Sequence, residues 1–450
     1  MHSKSFTLKL RHKINPFRKS IKVDSDKSLS IRSFLIGSIS QNISLAKNVL
    51  ESEDVYSTIA CLKKLGVRIK KEKPKFYKIY GKGLGSLFAK KNLNLDFGNS
   101  GTLARLLIGI LSTTPDIEIK IQGDNSLNKR NMKKLIDLMS KFGAEFLPKK
   151  KYNFPLKLIS TEMPICIDYK AGVSAQLKSA VILAGLNSFG ETEIIENKRS
   201  RDHTENILRK NTQAIKIKEG KKKKITIIGK KHLDPIKVDV PGDPSSAAFF
   251  TALTLLNKNS YLKIKDVGLN PTRMGFYELL KKHGAKIKFN NKRKKNNEVT
   301  GDIIIKSGKL TKPIVASKYF YEKTTDEFPI LFCIAALTEG TSIFNGIEDL
   351  ANKESNRIKE MQKVLNQIGI KSIATKNKMK IYGKNSIDSK NKKIKVPNLG
   401  DHRICMSSAI LSLVTGVQAK INNFETVKTS SPNFLNTIKS LGAKFEIKSY

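Results

Sequence analysis

The sequence predicts an α/β protein of two similar domains, each built from three repeated units. Three observations carry that prediction: a recurring helix-to-strand signature, its regular spacing, and a Pro-marked helix start midway along the chain. The signature is a helix end of type L-x-x-x-G followed by period-2 alternation. It reads "LKKLGVRIK" at Gly66, "MSKFGAEFL" at Gly143, "LLKKHGAKIKF" at Gly284, "LNQIGIKSI" at Gly369 and "IKSLGAKFEI" at Gly442. A degenerate copy, "LRKNTQAIKIK", puts Thr212 at the glycine position. Glycine after the last helical turn is a left-handed cap, and the alternation that follows is a strand. Each unit therefore holds an amphipathic helix running into a strand, with further strands around it. The six copies lie 69 to 85 residues apart, a spacing that argues for duplication into two sets of three.

The Pro-marked start, "IKVDVPGDPSSAAFFTALTLL", falls between the third and fourth copies. A strand runs into a turn, Asp243 caps the helix, and Pro244 takes the first helical position, where its missing N–H does no harm. Residues 238–242 read as a hinge, and the segment as structural.

At 450 residues the chain exceeds one ordinary core. Its 39% hydrophobic and 27% charged residues describe a globular protein. Cys61, Cys166, Cys333 and Cys405 are far apart and form no C-x-x-C pair, so neither a disulfide framework nor a zinc site is expected. No metal or organic cofactor is predicted. No apolar stretch reaches the roughly 18 residues of a membrane span, and the basic N-terminus lacks a secretory h-region. The expected compartment is the reducing cytoplasm, and the expected state a monomer.

The formal charge of +45 suggests nucleic acid first. However, the charge is spread along the chain, and runs such as "EGKKKKITI" and "FNNKRKKNNE" carry almost no interleaved aromatics. They read as solvated hairpin tips. Lys outnumbers Arg 71 to 13. Seven of the 13 arginines (Arg32, Arg105, Arg130, Arg201, Arg273, Arg357 and Arg403) fall in short motifs. In so Lys-rich a chain these mark places where a planar bidentate fork serves and an ammonium does not, as on carboxylates and phosphates.

The motifs open helices. "DKSLSIR" places Lys27, Ser28 and Arg32 at a helix start, whose partial positive charge adds to that of the cations. In "GNSGTLARLL" the backbone around Gly98 and Gly101 approaches an anion without a Cβ in the way, with Arg105 one turn on. "GDNSLNKRN" puts Arg130 in a polar loop. "GVSAQLKSAVILAGL" brings Ser174, Ala175 and Gln176 to a first turn. "SRDHTENIL" sets Arg201 ahead of a helix capped by Asp202 or Thr204, with His203 a turn residue. "TTDEFPILFCIAAL" sets Asp326 and Glu327 before a buried helix, an N-capping Asp being the default reading. In "NKESNRIKEM" a helix would place Lys353 and Arg357 at i, i+4, two like charges needing an anion, with Glu354 between them. "GDHRICMSSAIL" opens a last apolar helix behind His402 and Arg403. Cations and helix dipoles at many helix starts describe a site for heavily anionic small molecules.

These motifs, in order from residue 26 to 407 and joined by "VPGDPSSAAFF" and "NPTRMG", resemble the EPSP synthase family (3-phosphoshikimate 1-carboxyvinyltransferases), in its second class. The resemblance implies the enolpyruvate transferase fold: an inside-out α/β barrel in each domain, made of three βαβαββ-type units, the two domains closing over the ligands. It implies one domain over residues 22–238 and a discontinuous one over 1–21 plus 239–450. Lys27 would touch both substrates. Ser28, Arg32, Ser174, Ala175, Gln176, Arg201, Asp326 and Lys353 would hold shikimate 3-phosphate. Gly101, Arg130, Gln176, Arg357 and Arg403 would hold phosphoenolpyruvate. Together the substrates bring roughly five to six negative charges near neutral pH, which matches the concentration of arginine. Asp326, Glu354 and Lys27 would exchange the protons of an addition–elimination through a tetrahedral ketal, and a Glu354 that donates must gain from burial on closure, because Lys353 and Arg357 favour its ionised form. In insensitive relatives Ala at the Gly101 position crowds glyphosate, so Gly101 implies sensitivity.

Five positions depart from the family pattern: Asp24–Ser25 replaces Pro-Gly, Ile31 a common His, Asn131 a Pro and Asn356 an Asp. Lys428 is one place removed from a lysine that some relatives use. The same fold acting on UDP-N-acetylglucosamine would need a Cys within residues 115–131, and there is none.

Overall fold

The computed structural model describes residues 5–449 apart from Asn296; Met1–Lys4 and Tyr450 also lie outside the described residues. The chain divides into two compact units. Unit I comprises residues 25–240 with 294–298, and unit II residues 5–24, 241–293 and 299–449.

Among the described residues there are six four-stranded sheets, three in each unit. One repeat shows how they are made. Asn94–Asp96 leads through helix to Glu118–Gln122, its parallel neighbour; a second helix leads to Glu145–Leu147, which turns back into Leu156–Ile159. The last strand inserts antiparallel between Glu118–Gln122 and Glu145–Leu147, giving a βαβαββ unit. The same pairing recurs for Asp168–Ala171, Glu191–Glu196, Lys223–Ile228 and Ile215–Lys218. In unit II it recurs for Val315–Ala316, Gly340–Asn345, Lys378–Gly383 and Ser372–Ala374.

The remaining sheets are completed by strands distant in sequence. In unit I, Lys237–Asp239 pairs parallel to Ile43–Lys47. In unit II, Phe6–Leu10 inserts between Gln418–Ile421 and Phe445–Ser449, and Arg18–Ile21 lies parallel to Tyr261–Gly268. Residues 5–24 are therefore strands of unit II, and unit I is an insertion between Asp24 and Pro241.

The principal helices alternate in character. We number them α1 (Lys27–Ile39), α2 (Glu53–Lys64), α3 (Gly101–Leu111), α4 (Lys133–Lys141), α5 (Ala175–Gly185), α6 (His203–Leu208), α7 (Pro244–Leu256), α8 (Gly275–Lys282), α9 (Phe328–Ala336), α10 (Arg357–Gln367), α11 (His402–Thr415) and α12 (Phe434–Ser440). The odd-numbered helices are buried nearly all round: all nine residues of α9 and 13 of the 14 in α11 are buried. Their hydroxyls return to carbonyls a turn back, as Ser33 Oγ does to Leu29 O and Thr251 Oγ1 to Ala247 O. The even-numbered helices bury one stripe, except α6, whose six residues are all buried. In α10 the stripe is Arg357, Ile358, Met361, Val364 and Leu365.

All six even helices run into an edge strand, as the repeated signature predicts. Gly66, Gly143, Gly284, Gly369 and Gly442 have φ of +83°, +105°, +92°, +76° and +103°, the left-handed region where a Cβ is disfavoured. The Thr212 copy differs. The chain after α6 makes successive tight turns, with Asn211 N–H donating to Leu208 O and Ala214 N–H to Asn211 O, and Thr212 stays out of that region.

Candidate active site

In unit I the motif residues stand at the starts of the three buried helices. Asp26 caps α1, its Oδ1 accepting from Leu29 N–H at 2.8 Å. Ser100 and Ser174 cap α3 and α5 through Leu103 N–H and Leu177 N–H at 3.2 and 3.3 Å. Each cap answers one of the orphan donors of the first turn and leaves the positive end of the helix for an anion. Lys27, Gly101 and Ala175 are the first helical residues.

Side chains tie these starts together. Arg32, 3% exposed, donates from Nε to Thr204 Oγ1 (2.9 Å), from Nη2 to Ser179 Oγ (3.2 Å) and from Nη1 to Ser28 O (3.1 Å), linking α1, α5 and α6. Gln176 bridges α5 and α3: its Oε1 accepts from Arg105 Nη1 at 3.0 Å and its Nε2 donates to Thr102 Oγ1 at 2.9 Å. Arg130 Nη2 donates to Asn99 Oδ1 at 2.6 Å, closing the loop before α3. Lys27 pairs with Asp54 Oδ2 at 3.0 Å. Arg201 is half-buried between Ser200 and the start of α6.

Gly101 has a steric role that its φ does not require. A Cβ there would come within 2.8 Å of Arg105 Nη1 and 3.0 Å of Arg130 Nη1. Both contacts are tips of flexible side chains, so Gly101→Ala should fold normally while pushing two guanidinium groups aside. We expect the KM for phosphoenolpyruvate to rise about tenfold, the scale of a lost charge-assisted contact, and glyphosate inhibition to weaken at least as much. Inhibition curves at several phosphoenolpyruvate concentrations check this; an unchanged KM would remove Gly101 from the site.

In unit II the corresponding residues gather on Arg357. This guanidinium, 1% exposed, donates from Nε to Asp401 Oδ2 (2.9 Å) and from Nη2 to Glu354 Oε2 (2.7 Å) and Asp401 Oδ1 (3.3 Å), and its Nη1 lies 3.6 Å from Asp326 Oδ1. Burial works against its charge, but Asp401, Glu354 and Asp326 prevail and push its pKa up. Its Nη1 is buried with no hydrogen-bond partner among the described residues. Arg403 at the start of α11 is alike: it is buried, lies over the Phe249 ring at 5.7 Å, and its Nε and Nη1 have no hydrogen-bond partner among the described residues. Buried guanidinium donors left unmade are costly unless a ligand completes them.

Lys353 is half-buried beside this cluster. Burial pushes its ammonium below the ordinary lysine range; Asp326 and Glu354 pull it back, and Arg357 opposes them. A depressed lysine is charged at neutral pH and loses its proton earlier than usual as pH rises. The kcat/KM for shikimate 3-phosphate should therefore fall on the alkaline side below the ordinary lysine pKa of about 10.4. Lys353→Arg should remove that limb in a pH profile, and an unchanged profile would exclude Lys353 as its source.

Several readings of the sequence are corrected. Lys353 and Arg357 do not share a helix: residues 353–356 are irregular, Asn356 caps, and α10 begins at Arg357 itself. Asp326 is not the cap of α9, which follows Glu327 without a side-chain cap bond; its carboxylate faces Arg357 instead. His203 is the buried first residue of α6, its Nδ1 2.8 Å from Glu298 Oε1. Arg273 is spent on the protein's own groups, donating to Asp243 Oδ1 (3.0 Å) and Ser245 Oγ (2.7 Å). Among the motif arginines, Arg32, Arg273, Arg357 and Arg403 are buried and the other three half-buried, whereas Arg11, Arg18, Arg68, Arg209 and Arg293 are exposed.

Sequence reasoning missed Asp401 and Asp54. Asp401, fully buried, both caps α11 through Arg403 N–H (2.9 Å) and holds Arg357. The signal was an Asp directly before "HRICMSSAIL". Asp54 looks like any acidic residue in a first helical turn, and nothing local ties it to Lys27.

The departures have local explanations. Asp24 Oδ2 accepts from Ser431 Oγ and Asn433 N–H at 2.8 and 3.0 Å, so the chain leaves unit II from an anchored residue. Asn356 caps α10 through Lys359 N–H at 3.1 Å as an Asp would, and Asn131 Oδ1 accepts from Lys133 N–H at 2.8 Å. Ile31 is fully buried. Lys428 lies over the Phe6 ring. Burial raises the Cys61 thiol to about 12 and lifts Cys333 and Cys405 further, leaving three of the four cysteines unreactive.

Six βαβαββ-type sheets in two units, with cations at the buried helix starts, define a protein of the enolpyruvyl transferase fold. The enolpyruvyl transferase NikO from Streptomyces tendae is similar over 99% of this chain and all of its own, with a TM-score of 0.74 at 13% identity, a likeness of fold alone. The family model for EPSP synthase (3-phosphoshikimate 1-carboxyvinyltransferase) matches residues 12–438, and the chain belongs to that family. It is 36% identical over 432 residues to the 3-phosphoshikimate 1-carboxyvinyltransferase of Paramagnetospirillum magneticum, covering 95% of this chain and 96% of the relative. It is 35% identical over 435 residues to that of Bacillus subtilis, covering 96% and 99%. The EPSP synthase structure from Acinetobacter baumannii superposes with a TM-score of 0.84 at 34% identity, covering 99% of this chain and all of that one.

Proposed function

We propose that this chain transfers the enolpyruvyl group of phosphoenolpyruvate to the 5-hydroxyl of shikimate 3-phosphate and releases phosphate, a step of aromatic amino-acid biosynthesis. The observation that carries the reading is the set of buried donors Arg357 Nη1 and Arg403 Nε and Nη1, which lack hydrogen-bond partners among the described residues. Such forks suit a carboxylate or phosphate. Arg130, Gly101 and Gln176 would complete the phosphoenolpyruvate contacts. Ser28, Arg32, Ser174, Ala175, Gln176, Arg201, Asp326 and Lys353 would bind shikimate 3-phosphate, and Lys27 would meet both.

In the addition step the 5-oxygen bonds C2 of the enol, Asp326 takes the hydroxyl proton, and C3 gains a proton from Glu354. In the elimination step the C2–O bond to phosphate breaks, Lys27 gives the leaving group its proton, and C3 returns one to Glu354. The protons balance once Asp326 passes the hydroxyl proton through solvent to Lys27, which restores both groups and leaves the enolpyruvyl ether and phosphate. The four cysteines are free, which suits a reducing cytoplasm.

A phosphate-release assay with both substrates, each then omitted in turn, tests the proposal. Release that depends on both is expected. Release with phosphoenolpyruvate alone, or none with both, would refute it.

A further inference from the structure

Behind the arginines of unit I lies a cluster of charged residues that the proposed chemistry does not use. Lys178 on α5, Glu196 at the end of the strand Glu191–Glu196, and Glu205 on α6 are all fully excluded from solvent, and Lys223 is 3% exposed. Lys178 Nζ lies 2.8 Å from both Glu196 Oε1 and Glu205 Oε1, and Lys223 Nζ lies 3.3 Å from Glu205 Oε1. Two positive and two negative charges balance. Glu205 and Glu196 hold Lys178 charged although burial opposes it. Well-packed apolar residues generally stabilise a core at least as well as such a cluster, so its presence points to a geometric task.

The hydrogen bonds identify the task. Glu196 Oε1 also accepts from Ser200 N–H at 2.8 Å and from Ser200 Oγ at 2.6 Å. Ser200 directly precedes Arg201. The other members adjoin the partners of Arg32: Ser179 follows Lys178 on α5, and Thr204 precedes Glu205 on α6. One buried carboxylate therefore fixes the backbone just before Arg201, while the same cluster clamps the two helices that orient Arg32.

We infer that Glu196 is a positioning residue for shikimate 3-phosphate, fixing Arg201 through Ser200 and through the clamp on α5 and α6. This rests on the proposed assignment of Arg201 to that ligand. Misplacing a binding group by about 1 Å costs up to about 100-fold, so binding should suffer even where folding survives.

The test uses the full chain with substitutions E196Q, S200A and R201A. Gln keeps an acceptor for Ser200 but removes the charge that holds Lys178; Ala at 200 removes only the hydroxyl bond. Binding of shikimate 3-phosphate alone is measured by calorimetry, and the KM of each substrate by phosphate release, with thermal unfolding as the check on folding. In E196Q we expect affinity for shikimate 3-phosphate to weaken about 10-fold or more, with a smaller loss in S200A, and the KM for phosphoenolpyruvate to stay within about twofold. R201A should weaken the same ligand. If R201A weakens it while E196Q and S200A lower only the unfolding temperature, the positioning role is overturned and the assignment of Arg201 stands. If R201A leaves binding intact, the assignment of Arg201 fails and this inference with it. Should E196Q not fold, S200A is judged by the same criteria.

Discussion

Glu354→Gln is expected to lower kcat by about 10²- to 10⁴-fold, the usual cost of removing a positioned acid–base group. Glu354 Oε2 accepts from Arg357 Nη2 at 2.7 Å. Glutamine is nearly isosteric and still offers an oxygen to that donor, so Arg357 should keep its place and KM values should change little. What glutamine cannot do is give a proton to C3 and take one back. Phosphate release at saturating substrates reads the effect directly. Turnover at the level of the unmodified protein would exclude Glu354 from proton transfer. Asp326→Asn should lose a comparable factor, since its place opposite Arg357 Nη1 is likewise kept by the amide.

Arg357→Ala should act on folding as well as on binding. Asp401 is fully buried and takes two hydrogen bonds from this guanidinium. Alanine leaves Asp401 with the hydrogen bonds from Ser355 Oγ and Arg403 N–H, an incompletely compensated buried charge. Breaking such a pair costs about 3–5 kcal/mol, on the order of a 10 °C fall in midpoint for a unit of this size. Arg357→Lys should restore part of the stability but little phosphoenolpyruvate affinity, because an ammonium cannot span Asp401 and Glu354 as the fork does. Thermal unfolding with KM measurements checks both arms. A stable alanine variant would mean that Asp401 finds another partner.

The repeat was readable because its two ingredients are local. A left-handed residue after a helix calls for glycine, and a half-buried strand calls for alternation, so Gly66, Gly143, Gly284, Gly369 and Gly442 carried the pattern openly. The buried helices were harder. A helix surrounded by protein has no polar face, so α9 and α11 announce themselves only through the polar residues at their starts. Those starts were legible as anion-binding chemistry, and arginine scarcity in a Lys-rich chain singled out seven forks, of which Arg273 proved to be engaged with Asp243. The error at Lys353 and Arg357 has a plain cause. Spacing alone suggested one helix, but the cap at Asn356 starts it later, so the two cations belong to different backbone segments.

From sequence alone came the number and kind of repeats, the places where helices begin, and the residue types that could meet phosphate and carboxylate. These follow from backbone sterics, capping and charge, which act over a few residues. Only the folded chain revealed which carboxylate faces which cation: Asp54 with Lys27, Asp401 with Arg357, Glu196 with Lys178 and Ser200. The three ion pairs join residues 18 to 44 positions apart, and Arg32 reaches Thr204 across 172. Coulomb attraction and the cost of stranding a buried charge set them, and both depend on distance in space rather than along the chain.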